Sequence, residues 1–162
     1  MPTTPPPAPP PLPLAGTCAC TTIRFHLTAA PLFTHCCHCT RCQRETGTAF
    51  ALNAVIESTH VVLLSPTAPA GVLVPSDGGH GQTIFRCPAC YTPVWSVYGA
   101  GSDKISYVRV GTLEAEVRPD IHIYTRSKKA WVGLEGGVPA VEEFYDKEGF
   151  WPEESLERLR RV

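Results

Sequence analysis

The sequence predicts one mostly β domain with short helical turns and a C-terminal helix. Three observations carry this expectation. The segment 21–28, TTIRFHLT, sets Ile23, Phe25 and Leu27 on one face and Thr22, Arg24 and His26 on the other. That is the period-two alternation of a half-buried strand. Similar short runs recur between clusters of Gly, Pro, Ser and Asp. Only 153–161, which follows Pro152, has convincing helical composition, with Leu156 and Leu159 three residues apart.

Taken in order, residues 2–13 read PTTPPPAPPPLP, whose fixed φ angles and missing donors favour polyproline II. Residues 1–14 are therefore expected to be a disordered proline-rich tail, and 15–162 a single domain. A chain of 162 residues is long enough for one compact core and too short for two. After the strand at 21–28, a short helical turn is expected at 40–46. Further strands are expected at 49–56, 60–64, 83–86, 94–98, 104–110 and 121–124.

Fourteen Lys and Arg against fifteen Asp and Glu give a net charge of -1, which argues against a phosphate-binding surface and a nucleic-acid partner. No apolar run approaches the roughly 18 residues of a membrane span. The N-terminus has no cationic start followed by an apolar stretch, so an intracellular, cytoplasmic setting is expected. In a reducing compartment, eight cysteines point to metal or catalysis rather than disulfides.

The cysteines fall in three clusters: Cys18-Ala-Cys20, then Cys36-Cys37-His38-Cys39-Thr-Arg-Cys42, then Cys87-Pro-Ala-Cys90. Two short loops with cysteine at both ends can aim four thiolates at one tetrahedral zinc, so Cys18, Cys20, Cys87 and Cys90 form the expected structural site. Closing the 66-residue loop between Cys20 and Cys87 costs roughly 4 kcal/mol. Structural zinc binding of about 10 to 16 kcal/mol offsets that cost. Cys37, Cys39 and Cys42 can converge on a second ion from a tight turn. Cys36 is harder to include, because neighbours in an extended chain point to opposite sides. Three protein ligands and a vacant position would make this site catalytic. Its alternatives are disulfides, or a closed site completed by Cys36, His35 or His38. Arg41 and Arg44 stand where they can balance the site or hold a substrate carboxylate. Phe50, Trp95, Tyr107 and Trp131 are expected to pack the core or wall a pocket.

The order C-x-C, then CHCTRCQRETG over 37–47, then F-x-C-P-x-C over 85–90, then HIYTRSKKAW over 122–131, resembles the glutathione-dependent formaldehyde-activating enzyme family, which includes the centromere protein V domain. The resemblance spans about 16–139. It implies a β-tent fold with two zinc ions, a structural one on Cys18, Cys20, Cys87 and Cys90 and a catalytic one on Cys37, Cys39 and Cys42. It also implies carbon-sulfur lyase activity that joins formaldehyde and glutathione into S-hydroxymethylglutathione, or reverses that reaction. The partners expected are thus a small thiol, glutathione or similar, and an aldehyde, with Arg44 and His122 as candidate substrate-binding residues. Three departures stand out. Cys36 is an extra thiol that could cap the catalytic metal, and Tyr91 occupies a position where the family usually has glycine. Polyproline also replaces the basic extension expected of a chromatin-associated relative. The competing expectation is a non-catalytic zinc-stabilised binding module whose proline-rich tail docks a partner.

Overall fold

The structure, a computed structural model, describes residues 10–76, 79–99, 103–134 and 136–162. Two sheets enclose the main core. The smaller has the order β1-β2-β5, from Leu14–Thr17, Arg24–Leu27 and Val61–Leu63. The larger adds β3 (Phe33–Cys37), β4 (Ala51–Glu57), β6 (Ala70–Val74), β7 (Gln82–Arg86), β8 (Pro93–Tyr98), β9 (Ile105–Arg109) and β10 (Ile121–Ile123). Its order is β10-β3-β4-β9-β8-β7-β6. All pairs are antiparallel except β10 with β3. Helix α1 spans Thr40–Thr46 and α2 spans Glu153–Arg160.

The alternation read at 21–28 places Ile23, Phe25 and Leu27 in the core, each at most 1% exposed. They face Ala54, Ile56, Val94 and Val108 of the larger sheet. Phe25 meets Trp95 edge to face, with ring centroids 5.3 Å apart. Gly16 lets the strands close over that ring: a Cβ there would sit 2.5 Å from Phe25 Cζ. The opposite face of the larger sheet forms a second core. There Phe33, Cys37, Val55, Ile121 and Ile123 pack against Trp151 and Leu156 of the C-terminal segment.

Expected strands at 49–56, 60–64, 83–86, 94–98, 104–110 and 121–124 correspond to β4, β5, β7, β8, β9 and β10. Three strands lie outside those expectations: β1, β3 and β6. The most consequential is β3, FTHCC, buried at every position. A strand covered on both faces has no polar alternation to betray it. Of the expected proline-rich tail, residues 1–9 lie outside the described residues, and Leu14 opens β1 with 2% exposure. Trp131, expected in the core or a pocket wall, is instead 79% exposed in the turn region after β10.

Candidate metal centres

All eight cysteines are free thiols, so the disulfide alternative has no counterpart in the fold. They divide with two histidines into three groups whose donor atoms lie within 4.8 Å of one another.

The first group is Cys18, Cys20, Cys87 and Cys90. Cys18 Sγ is 3.6 Å from Cys20 Sγ, which is 3.7 Å from Cys87 Sγ. A tetrahedral zinc with Zn–S bonds near 2.3 Å requires S···S edges of about 3.8 Å, so these residues fit the ion. Backbone N–H groups already face the sulfurs: Ile23 N donates to Cys18 at 3.2 Å and Ala89 N to Cys87 at 3.4 Å. Thr22 and Thr92 hydroxyls, 3.2 and 3.1 Å from Cys20 and Cys90, hold those thiols below their ordinary range, Cys90 at about 5. Both knuckles close through a left-handed residue after the second cysteine, Thr21 at φ 61° and Tyr91 at φ 59°. The side chain that replaces the family's usual glycine thus sits in the conformation glycine favours.

The second group is Cys37, Cys39 and Cys42. Cys37 ends β3, Cys39 caps α1, and Cys42 lies in its first turn, its N–H donating to Cys39 Sγ at 3.3 Å. Hydrogen bonds from Cys37 and Cys42 draw Cys39 down to about 2. Its own bonds with Cys39 and Cys42, with burial, push Cys37 above the ordinary thiol range. At Cys42 the bond with Cys37 works downward, but Cys39 and burial outweigh it, to about 12. The trio therefore concentrates negative charge on one sulfur, and a divalent ion would displace the protons held by the others. Neither His35, His38 nor Cys36 joins this group.

The three thiols open onto a cleft of about 470 Å³, whose wall includes Arg41, Asn53, His80, Tyr98, Tyr107 and Phe144. Arg41 lies on that wall, whereas Arg44 is exposed and His122 buried, and neither belongs to the lining. His122 instead completes the third group with Cys36 and His38.

Polar bonds fix the thiol loop. Gln43 Nε2 donates to the carbonyls of His38 and Ser127 at 2.6 and 2.9 Å, and Ser127 Oγ donates to His38 O at 3.0 Å. Glu45 of α1 accepts from Arg86 and Arg109, each at 2.8 Å, while Arg109 also donates to Asn53. Gln43, Glu45 and Asn53 were not among the expected site residues. Their signal is only tertiary, since nothing in QRETG reveals that its side chains reach β7, β9 and the turn that follows β10.

The family model described as glutathione-dependent formaldehyde-activating enzyme matches residues 13–127. The chain belongs to this family. For a glutathione-dependent formaldehyde-activating enzyme family member, the match takes in every cysteine and all ten strands, and ends before α2. The segment that packs on the outer face of β3 therefore lies beyond it. A solved Rhodobacter sphaeroides protein aligns over 65% of this chain and 91% of its own, at 19% identity and a TM-score of 0.47. A comparison with curated proteins gives no match.

Proposed function

We propose that this family member is a zinc-dependent carbon-sulfur lyase of β-tent fold, acting on the adduct of a small thiol, glutathione or a relative, with formaldehyde or another small aldehyde. The observation that carries the reading is the thiol trio opening onto a cleft, with no fourth Cys, His, Asp or Glu donor grouped with it among the described residues. Cys37, Cys39 and Cys42 would hold the catalytic zinc, and Cys18, Cys20, Cys87 and Cys90 the structural one. When bound, the cleft zinc supplies a Lewis acid and a charge that stabilises thiolate.

The remaining work falls to the chain. In synthesis, the thiol sulfur bonds to the aldehyde carbon while the thiol proton passes to the former carbonyl oxygen; lysis reverses both transfers. Arg41 on the cleft wall is suited to hold a carboxylate of the thiol. Tyr98 and Tyr107, edge to face at 4.9 Å, give the cleft an aromatic side against which the small reactants can be held away from bulk water.

Exchange NMR with carbon-13 formaldehyde and glutathione tests this reading. Zinc-replete protein in catalytic amount should accelerate adduct exchange, and Cys39→Ser should abolish the acceleration. No acceleration with glutathione or other small thiols would refute the lyase reading and favour the binding module.

A further inference from the structure

Cys36, His38 and His122 form a metal-ligand set that neither the trio nor the four-cysteine site uses. Their exposures are 2, 0 and 5%, and none lines the cleft. The strand geometry explains the grouping. Residues 36 to 39 run extended, from the end of β3 into the cap of α1, so side chains alternate between the two faces of the sheet. Cys37 and Cys39 serve the cleft, while Cys36 and His38 face away from it. On the parallel neighbour β10, His122 pairs in register with Cys36, so its imidazole joins the same side.

The distances match an ion. His38 Nε2 lies 3.5 Å from Cys36 Sγ and 3.1 Å from His122 Nδ1. A tetrahedral zinc with bonds near 2.3 Å to sulfur and 2.05 Å to nitrogen has S···N edges of about 3.6 Å and N···N edges of about 3.3 Å. The same arithmetic describes the Cys18–Cys20–Cys87 edges to within 0.2 Å. One thiolate with two imidazoles is a donor set shared by zinc and copper(I).

We infer that Cys36, His38 and His122 bind a third metal ion of this borderline-soft class, a buried three-donor site that braces the catalytic loop from behind. An ion on His38 would fix the residue between Cys37 and Cys39, and through His122 would tie it to β10. The burial of all three donors suits a structural ion rather than a substrate site.

Two measurements on the full, reduced, zinc-loaded chain test the inference after unbound metal is removed. Metal counting by native mass spectrometry should give three ions per chain, one for each donor group, with Cys36→Ala falling to two and Cys39→Ala also falling to two. Wild type holding two, unchanged in Cys36→Ala, overturns the third site. Wild type holding two, with Cys36→Ala falling to one and Cys39→Ala keeping both, supports the third site while removing the cleft metal from the proposed lyase. The second measurement needs no variant: X-ray absorption at the zinc edge should detect imidazole nitrogen. An all-sulfur shell in zinc-loaded wild type overturns the inference however the variants fold.

Discussion

Arg158 of α2 grips Glu57 at the end of β4 through two hydrogen bonds, Nε to Oε1 at 2.9 Å and Nη2 to Oε2 at 2.6 Å. The helix has only eight residues, too few to persist alone, so this pair and the packing of Leu156 seat it. Burial pulls the Glu57 carboxyl upward, but the Arg158 bonds outweigh it and hold the group below its usual 4.5. A depressed carboxyl contributes stability above its unfolded pKa and loses it as pH falls through the folded value. Glu57→Gln should therefore cost about 2 kcal/mol at pH 7, and the gap to wild type should close below about pH 4.5. Urea melts across pH check this. The difference between the proteins isolates the pair, because thiolate sites release metal in acid.

Glu45 supports the thiol loop from the other side. Its carboxylate faces Arg109, whose side chain is 8% exposed, so Glu45→Gln leaves a buried guanidinium without its counter-charge. A loss of about 3 kcal/mol is expected. Thermal melting should show it, together with weaker metal retention by the Cys37, Cys39 and Cys42 group, since Glu45 and Cys42 share α1.

Tyr91 pays for its left-handed backbone without much packing in return, being 71% exposed. Tyr91→Gly should remove about 1 to 2 kcal/mol of strain and return part of it as chain entropy. The net gain should be about 0.5 to 1 kcal/mol, or roughly 2 °C in Tm for a chain of this size. A lower Tm would show that the tyrosine ring contributes more than the backbone costs.

The two all-sulfur groups should differ in what a bound ion would protect. Cys18 and Cys87 are buried within the main core, at 1 and 0% exposure, whereas the cleft trio is open on one side. Cys87→Ser should thus lower Tm far more than Cys39→Ser, with Cys39→Ser retaining the native circular dichroism spectrum.

Much of this molecule was legible because its signals are local. Alternation at 21–28 located β2, and Pro152 followed by EESLERLR located α2. Cysteine spacing anticipated both all-sulfur groups, and the alternation of extended residues separated Cys36 from the trio. What stayed hidden depends on distant partners. The pairing of Cys36 with His122 arises from the parallel register of β3 and β10, two strands far apart in the sequence. Choosing Arg41 over Arg44 for the cleft requires the rotation of α1, which a seven-residue helix does not disclose through its apolar pattern.

The alternation at 36–39 also sets a reading frame for the fold. Inserting or deleting one residue between Phe33 and Cys36 would turn every later side chain of the strand over. The cleft would then be offered a thiol and an imidazole in place of two thiols, and the buried side two thiols in place of the mixed pair. Length in this segment is therefore held more tightly than identity: many single substitutions would weaken one centre, but a single-residue length change would miswire both at once.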